Sequence, residues 1–196
     1  MQKYNPDKHH RRSIRLIGYD YAQEGLYFIT LCVQNRKHIF GKIENEKLCL
    51  NPIGQIAYNE WLNTAQIRDN IALHDFIVMP NHFHAILQIL WQKGKEEDIG
   101  KFKSPSQTIG SIIRGYKIAT IKKIKDYIHN YYGTGELQFA PTEFAPTIEI
   151  IKKLDYKIWQ RNYYEHIIRN EKSNNHISQY IINNPINWEK DSLHNE

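Results

Sequence analysis

An α+β fold, with an antiparallel sheet and helices packed on it, is predicted for this 196-residue chain by three observations. Runs rich in β-branched and aromatic residues alternate with runs of helical periodicity. Two of the strand-like runs are separated by little more than a Pro-Asn pair, which favours a tight connection and an antiparallel pair. The helical runs each carry a single apolar stripe, the mark of a helix covering a sheet rather than buried on all sides.

The first strand is read from "GLYFITLCVQN" (25–35), bounded by Gly25 and Asn35. From 51 to 70, "NPIGQIAYNEWLNTAQIRDN" sets a Pro after a capping-type Asn and places apolar residues at 53, 56, 57, 61, 62 and 65, the spacing of a half-buried helix. "LHDFIVMP" (73–80) and "HFHAILQIL" (82–90) are the paired strands, broken at Pro80 and Asn81. A second helix, Thr108 to Tyr127, buries Ile109, Ile112, Ile113, Tyr116 and Ile124, and Arg114, Lys117, Lys122 and Lys125 form a basic flank beside that stripe. Residues 128–154, with the repeated unit in "FAPTEFAPT", read as an extended surface insertion, because two copies are too few for a solenoid. "YKIWQRNYYEHIIRN" (156–170) reads as a short strand and turn, and 173–188 as a helix that Pro185 ends near Asn184. The order strand, helix, strand, strand, helix, strand, helix suits a ferredoxin-like sheet. The domain would span 19–188, preceded by a basic arm (1–18) and followed by a tail (189–196).

Composition sets the outer limits. With 41% hydrophobic and 24% charged residues the chain is ordinary for a globular protein, and no apolar run approaches the ~20 residues that a membrane helix requires. The opening "MQKYNPDKHHRRSIRLIGYD" lacks an apolar core and cleavage site, so a cytoplasmic protein is expected. The two cysteines, Cys32 and Cys49, are too far apart in sequence for a zinc or redox motif and too few for a disulfide framework. A formal charge of +5 and pI near 9.0 tilt the chain towards polyanions, and Arg11, Arg12 and Arg15 in the arm are suited to phosphate contact or to a solvated tail.

Two residues stand out. His82 and His84 lie two apart on a predicted strand, so they share one face, while Phe83 and Ala85 take the other. Such a pair can hold a divalent metal, or it can simply be two histidines on a solvated sheet face. His176, Tyr180 and Asn184 are spaced by four along the last helix and therefore stack on one side of it. They could reach a metal on a neighbouring strand, or Tyr180 could merely fill space; among 13 tyrosines, spacing alone does not choose.

At "MPNHFH" the chain resembles the His-hydrophobic-His motif of single-tyrosine transposases. "WQRNYYEHIIRN", "YIINNP" and the opening "RRSIRLIGYDYAQEGLYFITLCVQNRKHIFG" are similar to segments of the REP-associated tyrosine transposases, relatives of the insertion-sequence-200/605 enzymes, and the resemblance runs from Arg11 to Trp188. It implies a ferredoxin-like domain, Tyr180 as nucleophile, and Mg²⁺ or Mn²⁺ held by His82, His84 and Asn184. It also implies single-stranded or hairpin DNA as partner, with a 5′-phosphotyrosine intermediate.

On that reading Arg11, Arg12, Arg15, Arg114, Lys117, Lys122 and Lys125 would hold DNA, and Glu165, His166 and His176 are candidates for supporting roles. No protein carboxylate would touch the ion, so it would be weakly held. A domesticated hairpin-binding protein that does not cut is the rival reading. Monomer and homodimer remain open, as does the part played by "FAPTEFAPT".

Overall fold

The computed structural model describes residues 20–92, 107–132 and 142–194; the basic arm with Arg11, Arg12 and Arg15 lies outside the described residues. In chain order the elements are β1 (Gly25–Cys32), β2 (Gly41–Glu44), β3 (Lys47–Leu50), α1 (Pro52–Ile67), β4 (Ile71–Val78), β5 (His82–Ile89), α2 (Ile109–Tyr132), α3 (Ala145–Lys153), β6 (Tyr164–Ile168) and α4 (Glu171–Ile182). Four strands form the main sheet in the order β4-β5-β1-β6, every neighbour antiparallel. Setting aside the β2–β3 hairpin and α3, this is the strand order of a ferredoxin-like βαββαβ unit, as the sequence predicts.

Alternation divides the sheet into two faces. Tyr27, Ile29 and Leu31 on β1 and Phe83, Ala85 and Leu87 on β5 join Ala57 and Trp61 of α1 and Ile112, Ile113 and Tyr116 of α2 in one continuous core. The opposite face is covered by α4, whose Ile181 and Ile177 meet Ile86, Ile168, Leu26, Phe28 and Ile77 in a smaller cluster. The Ser178 hydroxyl of α4 bonds the Asp75 carboxylate of β4 at 2.5 Å. Helix α4 therefore lies over the face that carries the even-numbered residues of β5.

Two elements depart from the sequence reading, and a third follows it. The expected extended insertion contains α3, started by Pro146 in its first turn and buried through Ile148 and Ile151. A hairpin, β2–β3, stands between the first strand and α1, turned by Asn45 (φ 50°) and Glu46 (φ 62°). The run 156–170 holds the short strand expected of it, Tyr164–Ile168, after an irregular stretch in which Trp159 makes an isolated bridge to Val33.

Candidate metal and tyrosine site

The two histidines face the same way, as predicted, but they do not look out into solvent. His82 is fully buried and His84 is 2% exposed, because α4 and the segment that follows it close over that face. Neighbouring groups fix both rings. Asn81 donates its amide N–H to the Leu193 carbonyl, leaving Asn81 Oδ1 to accept from His82 Nδ1 at 2.8 Å. His84 Nδ1 lies 2.8 Å from Thr30 Oγ1 on the adjacent strand. With Nδ1 donating to Asn81, the His82 ring presents Nε2 as a bare lone pair, while the Thr30 hydroxyl is able to donate to His84 Nδ1 or to accept from it.

Around those nitrogens lie a carboxylate and a carboxamide. Asp191 Oδ2 lies 3.8 Å from His82 Nε2, and Asn184 Nδ2 donates to the same oxygen at 3.0 Å. His82 Nε2 and Asn184 Oδ1 are buried with no hydrogen-bond partner. Ligand atoms of His82, His84 and Asp191 all fall within 4.8 Å of one another, and together they could bind a metal. Buried lone pairs crowded round a carboxylate, with orphaned acceptors among them, fit a bound cation. Burial holds the His82 imidazole down, to about 4, against the Asp191 charge that favours its protonated form. His84 is pushed well below the usual histidine range by burial and then by His82. Both imidazoles are thus neutral at physiological pH, the form that ligates metals.

Tyr180 completes the group. Its hydroxyl is within hydrogen-bond distance, 3.2 Å, of His84 Nε2. Phe28 braces this corner: its ring stacks on His84 (centroids 5.3 Å apart) and meets Tyr180 edge-on at 6.2 Å. Burial and then the Asp191 charge raise the Tyr180 pKa, while the Asn184 side chain works in the opposite direction.

Three comparisons bear on this chain. No protein-family profile matches it. A protein of Haemophilus influenzae, described as uncharacterized, is 40% identical over 200 residues, an alignment covering 98% of this chain and 97% of the other. This chain belongs to that protein's family. The fold of this family has counterparts among solved structures. A REP-associated tyrosine transposase bound to a REP hairpin superposes with a TM-score of 0.52 at 17% identity, over 88% of this chain and 73% of its own. A candidate transposase from Deinococcus radiodurans gives a TM-score of 0.41 at 14% identity, over 87% of this chain and 97% of its own. The first likeness establishes a shared α+β fold, the transposase type.

Within that family fold, the sequence-predicted residues divide into two groups. His82, His84, Tyr180 and Asn184 meet in one corner. Asp191 joins them, which corrects the expectation of a site without a carboxylate. The stretch 188–194, read as a tail from 189 onward, instead crosses the site. Arg36 donates to the Ser192 carbonyl at 2.8 Å, Asn81 to the Leu193 carbonyl at 2.7 Å, and His38 Nε2 lies 3.2 Å from the His194 carbonyl oxygen.

The remaining candidates lie apart. Glu165 pairs with Ile29 and so belongs to the face of the α1–α2 core, away from His84, whereas His166 pairs with Phe28 and is exposed on the site's face. His176 is exposed on α4, one turn before Tyr180. Arg114, Lys122 and Lys125 are exposed on α2, behind the sheet from Tyr180. Lys117 directs its ammonium to the Gln160 carbonyl at 2.7 Å, and burial lowers its pKa to about 8. No helix among the described residues is long and apolar enough to cross a membrane.

Proposed function

We propose that this chain is a metal-dependent single-tyrosine transposase that nicks and rejoins single-stranded DNA beside a hairpin. The observation that carries the reading is one corner of the fold: a phenol hydroxyl 3.2 Å from an imidazole that also belongs to a buried cluster of two histidines and a carboxylate suited to a cation. The fold shared with a transposase bound to a REP hairpin supports it.

His82 and His84 through Nε2, and Asp191 through a carboxylate oxygen, would hold Mg²⁺ or Mn²⁺, with the Asn184 carboxamide oxygen as a further donor. When bound, such an ion supplies Lewis acidity towards a phosphoryl oxygen. Tyr180 is the nucleophile. Its oxygen attacks phosphorus, the bond to the 3′ oxygen breaks, and a 5′-phosphotyrosine forms with release of a 3′-hydroxyl. The proton lost by the phenol balances the one gained by the 3′ oxygen. Because the phosphotyrosine retains the energy of the phosphodiester, the same 3′-hydroxyl can reverse the step. With His84 Nε2 held by an ion, the Tyr180 phenol would be free of its contact with that nitrogen and able to turn to substrate.

The test is incubation of the purified protein with labelled single-stranded DNA from the palindromic repeats flanking its own gene, with Mg²⁺ or Mn²⁺, resolved on denaturing gels. The expected result is a covalent protein–DNA band that requires metal and disappears in both Tyr180→Phe and His82→Ala. Hairpin binding without a covalent band under any metal would replace this function with that of a non-cleaving hairpin-binding protein.

A further inference from the structure

On the face of the sheet that carries the site, helix α4 leaves a strip uncovered beside β6. There Tyr164 is 45% exposed on the edge strand, opposite Thr30, the residue that fixes His84. Its ring stands edge-on to Phe28 at 6.3 Å and 70°, and Tyr180 stands edge-on to the same Phe28 at 6.2 Å and 85°. No described residue hydrogen-bonds the Tyr164 hydroxyl. Phe28 thus holds two exposed phenol rings, one of them the proposed nucleophile.

We propose that Tyr164, braced by Phe28 next to Tyr180, is a stacking subsite for the unpaired nucleobase adjoining the scissile phosphate. This rests on the function proposed above and assigns the chain a residue that positions its substrate.

Three features favour a nucleobase over other occupants. An exposed aromatic face is sequence-tolerant for bases, since every base offers a π-surface. The strip is bracketed by cations: exposed Arg161 precedes β6, Arg169 follows it and Lys172 lies in the first turn of α4, against Glu171 as the one exposed acid between positions 161 and 172. That balance suits a phosphate backbone running along the strip. The aromatic neighbours of Tyr164 also separate its role from theirs: Trp159 is buried in the main core, and Tyr163 packs partly buried with the Lys117 ammonium 5.7 Å from its ring centre.

The test uses Tyr180→Phe protein, which cannot form the adduct, and the palindrome-derived strand carrying 2-aminopurine on either side of the mapped cleavage position. Stacking predicts fluorescence quenching at one of those positions, retained in Tyr164→Phe and lost in Tyr164→Leu and Tyr164→Ala, with affinity falling about tenfold. Tyr164→Leu keeps apolar bulk on the edge strand without a π-face, so its loss of quenching separates stacking from a folding defect. Unchanged quenching and affinity in Tyr164→Leu would overturn the subsite while leaving the covalent band, and hence the proposed function, intact. A concentration-dependent dimer abolished by Tyr164→Leu, without any quenching, would overturn it in favour of a second copy seated on β6. A parent protein that forms no adduct and binds no strand would overturn both readings.

Discussion

The residue that decides the character of the site is Asp191. Two imidazoles and a carboxamide would hold a divalent ion with no compensating charge, whereas an added carboxylate gives a set fit for a hard cation. Asp191→Asn should therefore weaken Mn²⁺ binding at least tenfold in isothermal titration while the protein still folds, since the amide oxygen can keep one of the two donors, Asn184 Nδ2 or the Leu193 N–H, that the carboxylate accepts from. Equal affinity in the variant would remove Asp191 from the ligand set. The substitution also takes a negative charge from beside Tyr180, which acts to lower the pKa that Asp191 raises. The histidine pair and Tyr180 were legible because strand and helix periods place them on predictable faces. Asp191 was not: it lies beyond Pro185 in a stretch without periodicity, and only the tertiary path of 188–194, held by Arg36 and Asn81, returns it to His82. Burial of the histidines was hidden for the same reason, since their cover comes from elsewhere in the chain.

At the scale of elements, the first turn of α1 shows how closely the parts are fitted. Asn51 caps it, accepting from the Gly54 N–H at 2.9 Å and donating to the Ile39 carbonyl at 2.9 Å, so the helix start is pressed on the segment before β2. A Cβ at Gly54 would lie 1.9 Å from the Phe40 carbonyl oxygen. Gly54→Ala should cost about 3 kcal/mol, lowering Tm by roughly 6–12 °C in a calorimetric scan. Gly115, in the middle of α2, meets only the end of the Arg68 side chain at 3.5 Å, and Gly115→Ala should raise Tm by roughly 2–4 °C by removing a poor helix former. If Gly54→Ala melts with the parent, the docking of α1 described above is wrong. The cap at Asn51 with Pro52 was readable from residue types. The β2–β3 turn was not, because a turn with two positive-φ residues announces itself through Asn-Gly, and here Glu46 occupies the second place. Helix α3 was masked by prolines that suggest extended chain, although Pro146 sits where a proline starts a helix rather than breaking one.

Across the whole molecule the sheet separates two groups of residues that the sequence lists side by side. The four main strands and one antiparallel pair among them were legible from pattern, and the net charge of +5 pointed to a polyanion without saying where it lies. In three dimensions Arg114 and Lys122 on α2 stand behind the sheet, while Tyr180 and Tyr164 are on its other face. A strand short enough to occupy only the tyrosine face cannot reach the α2 cations, whereas a hairpin passing the β6 edge can touch both. Contacts of that kind are electrostatic and indifferent to sequence, each phosphate adding about 0.9 to the slope of log affinity against log salt. The double variant Arg114→Ala/Lys122→Ala should therefore bind the palindromic hairpin more weakly, with a slope shallower by about 2, and lose affinity equally for scrambled hairpins. Its covalent yield on a short single strand at saturating protein should equal that of the parent. A parallel loss of adduct on the short strand would mean that these cations serve the tyrosine face after all, and a salt slope unchanged on the hairpin would take α2 out of the path of the DNA.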